Sequence, residues 1–450
     1  MTMEQHQQTV PSPARRRLLF GAAAAGAAGL SAAVARPLSA DAAAAGSTST
    51  VSFQAPTVYD VTNWRIPTRP KITAAADIGA IMNDIIRDIK TRQTDPDAKP
   101  GAVIIIPPGD YELHSQVVVD VSFLTIAGYG HGFTSLGIAY NSDTSGWHER
   151  KPGGSHVKVM TDGPAILVHR DGSPRLSGIV FRDFCLDGLS FTPDQNSYAN
   201  GKTGIEVSSD NDAFHITGMG LVYLEHGLVI RGADALRVHD NFIVECGSCL
   251  EMTGAGQATL VTNNLMGAGP HGPTILAENH EGLLVSGNNL FPRGRSIVEL
   301  HGCVRSSVTA NRMQGFYPGM VRLVDNCKEN LLSANHFRRA AESYQPFVDV
   351  VGLDDLFGVV FVRGDNNLIS NNLFAYDVPP NKIIPSGGQP TMILVAGGDA
   401  NVIATNHVVC NVASQHVVLD GSTTRSKVLD SGATDQITSY AADAAVRPTP

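Results

Sequence analysis

Charge and aromatic side chains are both scarce in this sequence. Charged residues make up 17% and aromatics 6%, with two tryptophans in 450 residues. A disordered chain carries more charge and less apolar surface than this, because 43% of the residues here are hydrophobic. Basic excess is missing too. Lys+Arg 33 against Asp+Glu 42 gives a net charge of −9, which argues against nucleic acid or an anionic membrane as partner. Cysteine is sparse, with six in the whole chain (Cys185, Cys246, Cys249, Cys303, Cys327, Cys410), too few for a disulfide scaffold. Cys246 and Cys249 form a single CxxC, but no second CxxC and no closely spaced histidine pair completes a zinc site. His280, His301 and His336 are scattered, so no metal and no cofactor are expected, and the cysteines read as free and buried. Helical periodicity is absent after residue 90.

What is present begins with a targeting segment. Arg15-Arg16-Arg17-Leu18-Leu19-Phe20 precedes a short Ala/Gly-rich run with small-residue cleavage sites near Ala35, Ala40 and Ala45. Residues 1–45 therefore read as a removable export signal of the twin-arginine type, and the protein is expected outside the cell. Removal takes four arginines and two acids, leaving 29 basic against 40 acidic side chains.

One helix is expected over residues 77–90. Asp77 caps it, and Ile78, Ile81, Met82, Ile85, Ile86 and Ile89 fall on one stripe. Beyond Ala102 the chain is a series of short β-branched runs broken by Gly, Asn and Asp, and these runs repeat. Polar pairs start at Asp240, Asn263, Asn288, Asn311, Asn335, Asn371 and Asn406, mostly about 24 residues apart, each pair followed by an apolar residue. Two longer spacings mark insertions at Tyr344–Phe361 and Val378–Gln389. A period near 24 with strand–turn–strand content predicts an all-β, right-handed parallel β-helix of roughly 13 coils. Its asparagines would stand at corners and bond to one another along the stack. The helix at 77–90 would cover the open first coil. The expected organisation is an N-terminal segment over 46–100, the β-helix over 101–425 and a tail over 426–450.

The opening of the repeat, Val103 to Pro107-Pro108-Gly109-Asp110-Tyr111 and on to Leu124-Thr-Ile126-Ala-Gly128-Tyr-Gly130, resembles the first coils of the pectin-lyase-like superfold. That likeness suggests a polysaccharide ligand and leaves the chemistry open. The polygalacturonase motifs are missing or displaced. Gly130-His131-Gly132 stands in the wrong part of the chain, and Asp354-Asp355 falls in an insertion. A net-acidic surface suits a neutral glycan better than a polyanion.

Two longer stretches, Gly137 to Gly154 through Trp147-His-Glu-Arg150, and Gly232-Ala-Asp234-Ala-Leu-Arg237-Val-His239 to Glu245-Cys246-Gly, resemble inulin fructotransferase, as does the mature chain as a whole. The resemblance implies depolymerisation of inulin from the chain end into a cyclic difructose dianhydride, type III (DFA III) favoured over type I. It also implies a homotrimer with metal-free sites at subunit interfaces, and it maps two essential carboxylates onto Asp234 and Glu245. Glycosyl transfer needs such a pair: one group protonates the leaving oxygen and the other acts opposite it. About four residues of strand lie on each side of the corner between Asp234 and Glu245, too open a path for one chain to close the pair unaided. Trp147 and His148 are candidates for sugar stacking, while Arg293, Arg295 and Glu299 read as a charged rim. Another β-helix glycan hydrolase or lyase, or a non-catalytic sugar-binding β-helix, are the alternative readings.

Overall fold

The computed structural model describes residues 57–92, 101–133, 153–172, 174–189, 198–208, 210–269, 272–291, 296–315, 319–340, 358–377, 391–410 and 415–449. The export segment, Trp147, His148, Arg293, Arg295, Asp354-Asp355, the 378–389 insertion and most of the 344–361 insertion lie outside these residues.

Short β-branched runs become strands that pair in parallel with the run one coil earlier and one coil later. Among the described residues they stack into three long sheets of 14, 11 and 12 strands, here called A, B and C. Each coil runs from A to B to C and then to the next A, as in Arg237–His239, Phe242–Cys246 and Ser248–Thr253. This is a parallel β-helix. Register is set by the aliphatic files inside it. In sheet A one file runs in unbroken register from Ile216 through Val238, Val261, Val285, Val308, Leu332, Ile369 and Ile403 to Val428. All of its members are buried, and a slip of one residue would turn the whole file out to water.

The asparagine ladder forms at the corner between sheets A and B. The backbone N–H and Nδ2 of Asn241 both donate to Asn264 Oδ1, at 3.0 and 2.9 Å. The same pair of bonds recurs from Asn264 to Asn288, on through Asn311 and Asn335 to Asn372 and Asn406, and the last amide meets Ser431. Each Nδ2 also donates to a carbonyl of the previous coil, as from Asn288 to Val261 at 2.9 Å. The ladder residue is not always the first of the polar pair. At Asp240, Asn263 and Asn371 the first member instead takes the left-handed backbone conformation, with φ of 57°, 58° and 56°, and the second member enters the ladder. Asn and Asp tolerate that conformation and also make corner hydrogen bonds, so two adjacent ones look alike in sequence.

Replacing Asn288 by Ala strips two buried donors of Asn264 of their acceptor, takes a donor from Val261 O, and leaves Asn311 Oδ1 only the backbone N–H of residue 288. The expected loss is about 3 kcal/mol by denaturant unfolding. Its neighbour Asn289 is half-exposed and its side-chain oxygen accepts from Arg312 Nη1 at 2.9 Å, so Asn289→Ala stays within about 1 kcal/mol. Equal costs at the two positions would mean that the ladder does not stabilise the stack.

A second ladder, unforeseen from sequence, runs at the corner between sheets C and A from Ser306 through Asn330, Asn367 and Asn401 to Ser426. The stack also extends past the expected boundaries at 101 and 425. Val58–Asp60 pairs with Val103–Ile105 at the start of sheet A, and Lys427–Leu429, Ile437–Ser439 and Ala445–Arg447 continue sheets A and C.

The capping helix spans Ile78–Lys90, with Asp77 accepting from the N–H groups of Gly79 and Ala80 at 3.1 and 3.2 Å. Its six-residue apolar stripe is buried, and Trp64 Nε1 donates to Asp84 at 2.8 Å to pin its outer side. Cys185, Cys246, Cys249, Cys303 and Cys327 are free and buried. Burial pushes the Cys246 thiol up to about 12, which leaves it an inert packing group.

Near the N-terminal end a buried histidine lies between two carboxylates. His156 Nδ1 is 2.6 Å from Asp110 and its Nε2 is 3.0 Å from Asp187. Burial disfavours the charged ring, but hydrogen bonds to Asp187 and Asp110 outweigh it and raise the pKa above its ordinary value. A raised folded-state pKa contributes stability that is complete below the unfolded value near 6.5 and is lost as pH climbs through the folded value. The stability advantage of the wild type over His156→Gln should therefore be largest below pH 6.5 and shrink on the alkaline side. A difference that is flat with pH, or that grows, would contradict the charged-ring account.

Candidate active site

Asp234 stands at the corner between sheets C and A. A short ladder there puts Ser177, Asp212, Asp234, Gln257 and Glu281 in one register. The Asp234 carboxylate accepts from Arg175 Nη1 at 2.6 Å, and the other arm of Arg175 lies 3.2 Å from Asp212. The two carboxylates raise the guanidinium pKa, Asp234 foremost. Arg175 thus bridges two acids that stacking would otherwise leave as like-charged neighbours.

Glu245 stands at the opposite corner, between sheets B and C. The pairing of Phe242–Cys246 with the next coil jumps from Val244 to Cys246, so Glu245 is the extra residue of a bulge. Its φ is 55°, and Leu189 and Tyr223 take the same left-handed conformation at this corner in the two preceding coils. The corner therefore imposes the conformation, and the backbone aims the carboxyl. Glu245 is only 4% exposed, and its Oε2 accepts a hydrogen bond from Tyr198 Oη at 2.7 Å.

The fold does not bring these two carboxylates together within one chain. The six-residue strand Ser248–Thr253 of sheet C lies between their corners, roughly 20 Å at ~3.3 Å per residue. Glycosyl transfer by two carboxylates works over roughly 5–10 Å. Along the chain the path from Asp234 to Glu245 takes sheets A and B, and across the coil their separation is the full sheet C side.

The outer face of sheet C joins the two corners. One outward file runs Leu167, Glu206, Val229, Glu251, Leu276, Glu299, Arg322, Phe361, Leu394, Val418. Glu251 is held by Ser248 and by His226 Nδ1 at 2.6 Å. Burial opposes its charge, but those bonds keep its pKa below the usual carboxylate value, and the same pairing raises that of His226. Glu299, read from sequence as rim, repeats the arrangement two coils on. It accepts from Ser296, from Arg322 at 3.2 Å and from His301 at 3.2 Å. The other scattered histidines have separate settings. His280 is buried beside the Asp234 corner, with Nδ1 3.0 Å from the carbonyl of Glu278, and burial lowers its pKa. His336 starts a strand of sheet B. The ring of His131, from the displaced Gly-His-Gly, stacks on Phe242 at 5.5 Å.

Tyr198, Arg175 and the Ser248–Glu251 and Ser296–Glu299 pairs were not singled out from sequence. The Ser-x-x-Glu spacing repeated two coils apart, and Asp212 one coil before Asp234, were available signals. Nothing local to Tyr198 points to Glu245.

The stacked parallel coils define the class, a parallel β-helix protein. A family described as the beta helix repeat of inulin fructotransferase matches residues 334–450. The DFA-I-forming inulin fructotransferase of Arthrobacter globiformis is 48% identical over 403 residues, covering 88% of this chain and 99% of that protein. The chain belongs to the inulin fructotransferase family. A crystal structure of DFA-IIIase from Arthrobacter chlorophenolicus A6 in complex with GF2 is 50% identical, with a TM-score of 0.82 over 88% of this chain and 99% of that one. The same enzyme in complex with DFA-III superposes with a TM-score of 0.81 at 46% identity and the same coverage. The A-module of a mannuronan C-5 epimerase from Azotobacter vinelandii shares the fold at 12% identity, with a TM-score of 0.51 over 83% of this chain and 96% of that one.

Proposed function

We propose that the protein depolymerises inulin by intramolecular fructosyl transfer and releases difructose dianhydride III. The observation that carries the dianhydride-forming chemistry is the 48% identity to a DFA-I-forming inulin fructotransferase along nearly the whole of both chains; the type III product rests on the resemblance read from the sequence. The 3-hydroxyl of the terminal fructose attacks C2 of the next unit. A new O3–C2 bond forms, the bond from C2 to the oxygen of the shortened chain breaks, and no water is consumed. Asp234 takes the proton of the attacking hydroxyl and Glu245 gives one to the departing oxygen. The ion pair of Asp234 with Arg175 supports this division, since a carboxylate paired with a guanidinium serves as base or charge stabiliser. An internal nucleophile acts at high effective molarity, provided the site folds the disaccharide and excludes water.

The active form in this reading is a homotrimer with sheet C turned inward, so that the Asp234 corner of one chain meets the Glu245 corner of the next. Support comes from the distance between the corners within one chain and from the apolar positions along the outer file of sheet C. The twin-arginine-like start, Arg15-Arg16-Arg17 before an apolar run, supports action outside the cell.

The test is incubation with inulin and analysis of the products. A non-reducing cyclic disaccharide with a 2,3′ linkage is expected, and reducing sugars or no conversion would overturn the reading. A 2,1′ linkage would leave the chemistry standing and reassign the attacking hydroxyl. A second reading takes DFA III as the substrate and is favoured by the 50% identity to a DFA-IIIase. Consumption of DFA III supplied alone, with inulin left intact, would select it.

A further inference from the structure

Tyr198 reaches Glu245 from two coils away. It precedes the strand Lys202–Val207 of sheet C, whereas Glu245 ends the sheet B strand Phe242–Cys246. The residues that follow Tyr198 are clamped to the coil in between. Asn200 Nδ2 donates to Tyr223 O at 2.8 Å, its Oδ1 accepts from the N–H of Glu225 at 3.1 Å, and Gly201 N–H donates to the Glu225 carboxylate at 2.7 Å. Two glycines make room where the tyrosine crosses. A Cβ on Gly269 would lie 2.3 Å from the ring, and one on Gly247 would lie 2.7 Å from the Tyr198 carbonyl oxygen. The ring is 2% exposed, and its hydroxyl donates to Glu245 Oε2 at 2.7 Å.

We propose that Tyr198 is a positioning residue for Glu245, seated in a slot made by Gly247 and Gly269 so that its hydroxyl fixes the carboxyl at the angle proton transfer requires. The proposal rests on the assignment of Glu245 to catalysis. The bulge orients the Glu245 backbone, but a glutamate side chain still has three rotatable bonds. A rigid phenol with a fixed origin removes that freedom, and angular placement is what turns a nearby acid into an effective one. Among the described residues, the thiols of Cys246 and Cys249 lie within reach of the Glu245 charge, which adds to burial in raising their pKa values. Tyr198→Phe leaves all of these in place.

The test is steady-state kinetics on inulin for Tyr198→Phe, Gly269→Ala, Glu245→Gln and the Tyr198→Phe/Glu245→Gln double variant. In Tyr198→Phe, kcat should fall about 10- to 100-fold with little change in KM. Gly269→Ala, which keeps the hydroxyl but displaces the ring, should give the same pattern. The double variant should be no slower than Glu245→Gln alone. A Tyr198→Phe enzyme with wild-type kcat would overturn the proposal while Glu245→Gln remained inactive. So would a loss that multiplies undiminished onto Glu245→Gln. A Glu245→Gln variant near wild-type rate would instead remove the catalytic reading, and the proposal with it.

Discussion

Turnover of inulin should fall by about 10²–10⁴ when Asp234 is replaced by Asn or Glu245 by Gln, the range for loss of a general acid or base. Both replacements keep the shape of the side chain, and their surroundings tolerate them. Arg175 loses one partner at Asp234 but keeps Asp212 at 3.2 Å, and the guanidinium is 45% exposed, so the stability cost is small. Glutamine at 245 still offers Tyr198 a carbonyl oxygen. Melting behaviour and assembly should stay near wild type while the rate collapses, and that separation distinguishes catalysis from corner bonding. A variant that keeps a third of the wild-type rate would remove its residue from the mechanism.

Much of the fold was legible because one solution repeats along the chain. Seven polar pairs, with four of their six spacings near 24 residues, announced stacked coils, and the amide-to-amide ladder follows from that repeat. The register was off by one at Asp240, Asn263 and Asn371, because the residue that turns the corner and the residue that bonds are chemically alike. The second ladder is less legible because Ser306, Asn330, Asn367, Asn401 and Ser426 are spaced 24, 37, 34 and 25 residues apart and only Asn367 stands in an asparagine doublet. The His156 chain was hidden for a similar reason: its acids lie 46 and 31 residues away, across interrupted coils. Asp234 and Glu245 came from resemblance. Their setting did not, since Arg175 and Tyr198 arrive from other coils at offsets of 59 and 47 residues with no shared motif. Contacts between coils are written in the period; contacts that skip coils are not.

The second large effect concerns where the site is closed. Within one chain a six-residue strand separates the two corners. In a cyclic trimer the contact is heterologous, so one corner of each chain faces the other corner of its neighbour. In the proposed trimer Asp234 of one protomer and Glu245 of the next would share a site, and neither Asp234→Asn nor Glu245→Gln would disable a protomer completely. Each variant chain still contributes one sound corner. Two preparations, each nearly inactive, should regain activity once their subunits mix. The most direct measurement is the dianhydride-forming rate of trimers reassembled from equal amounts of the Asp234→Asn and Glu245→Gln chains. Each interface then has one chance in four of joining an intact Asp234 to an intact Glu245, so about a quarter of the wild-type rate is expected. A mixture no more active than its two parents would mean that both carboxylates of a site belong to one chain, contradicting the shared site.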